Sequence, residues 1–305
     1  MRLLRYRNGT GVHLGALQGA DRVLDLTALS AENDGLRLGP DMVEFIAGGG
    51  EALLRAGSLI EAAAGDDRYL QPLEAVEILA PLDPPAGNVL AIGRNYREHA
   101  EEVARGRGTE ITRPTVFTKA QSTVNGPYAD VSFDPAISRQ IDWEVEVGVI
   151  IGRAGKNIAR ERALEHVFGY TVINDVSARD IQYGWGGQFF KGKSLDGFCP
   201  MGPWILTADE APSPPAFHLQ LRVNGQVKQD AHTDSMIFPI DELIAELSLG
   251  MTLLPGNIIA TGTPSGVGVH RDPPEFLQDG DLMESEITEI GVLRNRIVAR
   301  SEAAQ

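Results

Sequence analysis

The chain has 305 residues, 43% of them hydrophobic and 23% charged, which is enough to bury a sizeable core in one large domain or in one large and one small. Its net charge of −15 and isoelectric point near 4.8 create a field that repels nucleic acid and anionic membrane, so neither is expected as a partner. No run reaches the roughly 18 apolar residues of a membrane span, no apolar leader core opens the chain, and one cysteine, Cys199, excludes an internal disulfide and fits the reducing cytoplasm.

In chain order, residues 1–30 read as short strands with turns at Asn8-Gly9 and at residues 19–21. Residues 41–64 have helical apolar spacing interrupted by three glycines, which predicts two helices. Pro81, Pro84, Pro85 and Gly87 then precede a fresh apolar strand, and predict a small N-terminal α/β domain over 1–80 and a larger one over 81–305. Strands are expected at 89–92, 115–119, 143–151 and 168–173, and a hairpin at Asn224-Gly225. "GFCPMGP" reads as a tight turn with Cys199 as a small buried side chain, and residues 235–250 as one helix ended by Gly250. Few helices scattered among many strands predict an α+β, β-rich fold rather than a doubly wound sheet.

Two glycine-rich motifs invite a nucleotide or nucleophile reading and fail it. "GQFFKGKS" (residues 187–194) matches the P-loop pattern, but the "LDGFCPMGP" that follows cannot start the helix that cradles phosphate. "TGTPSGVG" (261–268) is not the nucleophile pattern around Ser265, and reads as a loop whose backbone approaches something closely.

The acids are more informative. Asp142, Glu144 and Glu146 alternate with Trp143, Val145 and Val147, so an extended strand turns three carboxylates to one side. A solvated face would explain that, except that the strand continues as "VGVII", too apolar on both faces for an edge in water. Asp175 ends another buried-looking strand. Glu144, Glu146 and Asp175 would give a hard divalent cation three oxygen ligands, and the lack of a nearby His or Cys disfavours zinc. In "IGRNYREHAEE", His99 and Glu102 stand at i and i+3 of a helix, where the carboxylate can orient the imidazole as a general base; a solvated surface pair is the alternative.

The motifs "IGRNYREHAEE", "DWEVEVGVIIG", "GYTVINDVSARDIQ", "GKSLDGFCPMGPW" and "GNIIATGTPSGVG", in this order, resemble the fumarylacetoacetate hydrolase family over residues 80–300. The resemblance implies mixed sheets rolled into a barrel-like core, a homodimer, and Mg2+ or Mn2+ held by Glu144, Glu146 and Asp175. It implies His99 and Glu102 as a catalytic dyad on a lid segment, with Lys193 as a catalytic cation. Arg94, Arg179, Gln182 and Thr263 are implied at substrate, and Asp142 beside the ligands; Asp180 in "SARD" is left without a role. The chemistry implied is metal-assisted enolate formation on a small anionic 2-oxo acid. Acylpyruvate- or fumarylpyruvate-type C–C hydrolysis comes first, because His99 with Glu102 supplies what water activation needs. Oxaloacetate decarboxylation and isomerisation of a 2-hydroxyhepta-2,4-diene-1,7-dioate-type diacid are the alternatives. A non-catalytic metabolite-binding module is disfavoured, since unpaired acids are costly to bury. Substrate choice is expected to lie in loops such as residues 104–114.

Overall fold

The computed structural model describes residues 1–32, 38–39, 41–104 and 111–300. The chain begins with β1 (Arg2–Asn8), β2 (Gly11–Gln18) and β3 (Arg22–Asp25), followed by α1 (Leu26–Ala31), α2 (Met42–Ala47) and α3 (Gly49–Ala62). Then come β4 (Leu70–Pro72), β5 (Glu77–Leu79), β6 (Val89–Gly93), α4 (Arg97–Ala104), β7 (Thr115–Lys119), β8 (Val124–Asn125) and β9 (Val131–Phe133). The middle holds β10 (Ile141–Asp142), β11 (Val145–Ile151), β12 (Val167–Asn174), β13 (Ser177–Ala178), α5 (Arg179–Gly184), α6 (Phe190–Lys193) and β14 (Cys199–Thr207). The chain finishes with β15 (His218–Val223), β16 (Gln226–His232), α7 (Ile240–Ser248), β17 (Ile258–Ala260), β18 (Leu282–Ile287) and β19 (Gly291–Ala299). The fold is α+β and rich in strand.

A 12-stranded mixed sheet runs β4-β3-β2-β1-β14-β12-β11-β17-β6-β7, with β5 beside β1 and β8 beside β14; a five-stranded sheet runs β16-β15-β18-β19-β9, and β10 pairs with β13. The expected barrel-like core is not a closed barrel, because β4 and β7, at the two ends of the long sheet, do not pair. β1 joins β14 directly, so chain on both sides of residue 80 contributes to one sheet.

β11 and β12 lie at the middle of that sheet and are buried along their whole length, which is why both read as nearly unbroken apolar runs. Alternation along β11 separates two cores. Val145, Val147, Val149 and Ile151 face a cluster with Leu219, Leu221, Met283 and Leu293 of the five-stranded sheet. Ile150 faces the other way, into a cluster with Leu3, Phe45 and Leu59 of the N-terminal region. Glu146 shares the Ile150 side, so a carboxylate enters the interior where the pattern calls for an apolar residue.

The two expected helices between residues 41 and 64 are α2 and α3, and Asp41 caps α2 by accepting from Val43 N and Glu44 N. The hairpin at Asn224-Gly225 joins β15 to β16, with both turn residues at positive φ. Two expectations need correction. Only the first residue of "GFCPMGP" is in a turn, Gly197 at φ +75°; from Cys199 the segment is strand β14, and a register shift against β12 between Tyr170 and Val172 accommodates the glycine and prolines. The helix over 235–250 is only α7, because Pro239 fixes its start and residues 233–235 form a separate short turn. Of residues 104–114, proposed from sequence to select substrate, 105–110 lie outside the described residues.

Candidate active site

The site is built where β11 and β12 end side by side. Their register sets Val145 opposite Asn174, and Asp175 N donates to Glu144 O at 2.8 Å just beyond it. Glu144 N donates to the Asn174 side chain (2.9 Å), which fixes the first acid against the second strand. Glu146 follows one residue pair along, and its Oε2 accepts from Gly262 N at 2.8 Å. Gly262 has φ +98°, and a Cβ there would meet Asn95 Cβ at 2.7 Å, so the "TGTP" loop approaches the acid through a position only glycine fills. One oxygen from each of Glu144, Glu146 and Asp175 lies within 4.8 Å of the others, and all three residues are buried.

Buried cations surround these acids. Lys193 Nζ donates to Glu144 Oε2 (2.7 Å) and to Asp175 Oδ2 (2.8 Å). Arg179 Nη2 forms an ion pair with Glu144 Oε1 at 2.6 Å, and its Nε donates to Asp142 Oδ2 at 2.8 Å. Lys119 Nζ donates to Asp175 Oδ1 (2.6 Å), to Val176 O (3.1 Å) and to Lys193 O. Burial alone would raise the Glu144 carboxyl, but Lys193 and Arg179 outweigh it and hold it at about 2. Among the described residues, no cation forms an ion pair with Glu146: burial, then Asp175 and Glu144, push its carboxyl well above the usual range. Burial works against the charge of Lys193 too, yet Asp175 and Glu144 raise it on balance.

Asp142 is held apart from the triad. It sits on β10, before the break that starts β11, and accepts from Gly268 N (2.7 Å), Val269 N (3.0 Å) and Arg179. It therefore ties the loop after β17 to the arginine that pairs with Glu144. Asp180 accepts from Ser138 Oγ (2.6 Å) and from its neighbour's backbone, Ile181 N (2.9 Å), a local structural bond.

A cavity of about 220 Å3 opens at Glu144, the one acid of the three in its lining, and Arg94, His99, Arg179, Gln182, Lys193 and Thr263 line it too. Asn95 makes the turn that delivers Arg94 and His99. It is fully buried, donates to Phe238 O and Thr261 O (3.1 and 2.7 Å) and accepts from Phe238 N (2.9 Å). Arg94 has φ +57°, an uncommon backbone state for a residue with a Cβ, and donates to Thr115 Oγ1 at 2.9 Å. His99, on the first turn of α4, meets Glu102 through Nδ1 and Oε2 at 3.1 Å, and it is buried rather than solvated. Arg179 Nη1 donates to Gln182 Oε1 (2.9 Å), and Thr263 Oγ1 donates to Val145 O (3.0 Å). Gly192 lets α6 bring Lys193 in, since a Cβ there would press on Gln182 Cα (2.6 Å) and Ala178 O (2.8 Å).

A larger cleft, about 620 Å3, lies elsewhere beside Asp21, Arg22, Glu74 and Tyr128, and brings in none of these acids or lysines. The sequence reading missed Lys119; the one signal was a lysine closing the apolar strand "TVFTK".

The donor set suits a hard cation. All three candidate ligands offer oxygen, as Mg2+ and Mn2+ prefer. Asp142, Glu144, Glu146 and Asp175 face Arg179, Lys119 and Lys193, and the surplus acid is Glu146, whose carboxyl is pushed upward by burial and by its two acidic neighbours. That is where a cation can replace a proton.

The family described as fumarylacetoacetate (FAA) hydrolase C-terminal matches residues 88–298. The chain belongs to the fumarylacetoacetate hydrolase family. It is 40% identical over 290 residues to oxaloacetate tautomerase YisK of Bacillus subtilis (strain 168), spanning 93% of this chain and 95% of that one. The fumarylacetoacetate hydrolase (EaFAH) of Exiguobacterium antarcticum has a solved structure that aligns with a TM-score of 0.82 at 37% identity, over 98% of this chain and 100% of that one. The maleylpyruvate hydrolase of Sphingobium sp. SYK-6, solved with manganese(II) and pyruvate, aligns with a TM-score of 0.77 at 31% identity, over 99% and 100% of the two chains. These fumarylacetoacetate hydrolase family relatives are enzymes acting on small organic acids, and they differ in the reaction they are named for. Among the described residues of the present chain, no helix is long and apolar enough to cross a membrane.

Proposed function

We propose that the protein is an enzyme that moves a proton on a small anionic 2-oxo diacid, interconverting the enol and keto forms of oxaloacetate at a divalent-cation site of Glu144, Glu146 and Asp175. The observation that carries this reading is that one cavity of about 220 Å3 holds a carboxylate-oriented imidazole, a buried ammonium and a guanidinium around Glu144. The size suits a four-carbon acid, and the relation to a protein named an oxaloacetate tautomerase supports the choice. Manganese and pyruvate together in a related hydrolase support the metal and the 2-oxo acid class.

A bound Mg2+ or Mn2+ would act as a Lewis acid toward the keto oxygen of the substrate. The chain supplies the rest. Arg94 and Gln182 orient the carboxylates, with Thr263 fixed to the β11 backbone beside them. Lys193 opposes the negative charge that grows on the substrate oxygen. With Nδ1–H donated to Glu102, His99 keeps a lone pair on Nε2 and takes a proton from substrate carbon 3, or returns it there. In the enol-to-keto direction, His99 Nε2 accepts the proton that leaves the hydroxyl oxygen, the C=O bond forms, and the C=C pair takes that proton back from Nε2 at carbon 3, which leaves the imidazole neutral again.

A second reading, C–C hydrolysis of an acylpyruvate-type acid, is favoured by the same His99–Glu102 pair, which could equally activate water. Both readings carry a cytoplasmic homodimer as an expectation. The deciding experiment follows enol-oxaloacetate absorbance, and pyruvate release from oxaloacetate and from an acylpyruvate, with Mg2+ or Mn2+ and with EDTA. Metal-dependent enol loss without pyruvate supports the tautomerase. Pyruvate from oxaloacetate would replace it with a decarboxylase, and pyruvate from the acylpyruvate alone with a hydrolase.

A further inference from the structure

A second imidazole stands against the His99–Glu102 pair. His270 ends the short turn of residues 268–270, and its ring centroid is 6.1 Å from that of His99. Its Nδ1 is buried and, among the described residues, has no hydrogen-bond partner, an incomplete state that folded proteins rarely leave without a use. Glu102 is incomplete as well: Oε2 meets His99, whereas among the described residues Oε1 has only a long bond from Gly266 N at 3.4 Å. Burial pulls the His270 pKa down; among nearby charges, Glu102 opposes that most strongly, and His99 and Arg179 reinforce it. His270 thus keeps an unused buried Nδ1, able to donate as its Nδ1–H tautomer, within electrostatic reach of the half-used carboxylate of Glu102.

The backbone around His270 is already tied to the site. Gly268 N and Val269 N bond to Asp142, which pairs with Arg179. Helix α4 rests on the same loop through Glu98 Oε2, which accepts from Ser265 Oγ at 3.1 Å. The seam between α4 and residues 265–270 carries two polar ties in place and one pair still unmade.

We infer that His270 is a positioning residue of the His99–Glu102 pair, its Nδ1 taking the second oxygen of Glu102 as α4 seats on residues 265–270 and so fixing the direction of the His99 ring. This rests on the use of His99 in the reaction proposed above. The role is a hydrogen-bonding one, so an aromatic ring without nitrogen fills the space and fails the function.

The test compares His270→Phe and His270→Asn in the full chain, by hydrogen–deuterium exchange across Arg97–Ala104 and by steady-state kinetics on oxaloacetate with Mn2+. In His270→Phe, α4 amides should exchange faster and kcat should fall about tenfold with KM within about twofold, the scale of one net hydrogen bond. His270→Asn, which restores a short donor, should recover most of both. Wild-type exchange and kcat in His270→Phe would overturn the inference, and so would a His270→Asn that behaves like the phenylalanine variant. If the unmodified protein turns over no 2-oxo acid, the proposed reaction fails, and the exchange comparison still decides whether His270 ties α4 down.

Discussion

The ammonium of Lys119 lies 2.6 Å from Asp175 Oδ1, with both side chains fully buried. Lys193 takes the other oxygen of the same carboxylate at 2.8 Å, so Asp175 is gripped from two sides before any metal arrives.

Lys119→Met should therefore be costly. It removes the only cation on Oδ1 among the described residues and leaves Val176 O and Lys193 O short of a donor. Breaking a buried ion pair from one side costs about 3–5 kcal/mol. Urea unfolding of the metal-free variant measures it, and a loss below about 1 kcal/mol would mean that Asp175 finds another partner.

Glu144→Ala should abolish high-affinity Mn2+ binding while the fold persists. Loss of an outer partner of a metal ligand typically weakens binding about 10–100-fold, and loss of a ligand should exceed that. Calorimetric titration with Mn2+ is the check; an unchanged affinity removes Glu144 from the ligand set.

For His99→Ala, the expected result is a fall in turnover of about 10²–10⁴-fold, the range of a general acid or base, with Mn2+ affinity kept. Stopped-flow decay of enol-oxaloacetate reads the first, and calorimetry the second. Undiminished turnover would leave the helix with a covering role only.

Metal binding should be coupled to loss of a proton from Glu146. Burial, Asp175 and Glu144 raise the Glu146 carboxyl, so the metal-free protein holds that proton above the ordinary carboxylate range, and a cation must displace it. Affinity should then fall as the pH drops below the raised pKa and level off above it. Titrations in two buffers of different ionisation enthalpy, repeated as the pH is lowered, should show proton release that grows toward acid pH; no release at any pH would remove Glu146 as the linked group. The metal-free fold, by linkage, gains from the bound proton and loses that gain as pH rises toward the raised pKa.

How much of this could be read in advance depends on whether a residue's partner is near in sequence. Glu144, Glu146 and Asp175 stood out because charge broke an apolar pattern, and His99 with Glu102 because helical spacing makes them neighbours. Lys119, Asn95 and His270 act on partners 56, 143 and more than a hundred residues away, and nothing local marks them. The β-rich mixed fold was legible from strand and turn signals. Strand β14 was not, because its glycine and prolines look like a turn until β1 and β12 are in place on either side. Asp142 shares the alternation of the two glutamates yet serves the loop of residues 266–270, since the strand breaks after it.

The junction of β1 with β14 has a practical consequence. The family match starts at residue 88, but β14 would then have a bare edge where Arg2 and Leu3 now pair with Leu206 and Ile205. An exposed, apolar strand edge is a template for pairing with other chains. Expressing residues 88–298 alone should yield oligomers or aggregates, and the strand that recruits strangers would be the direct neighbour of β12, the strand that leads into Asp175.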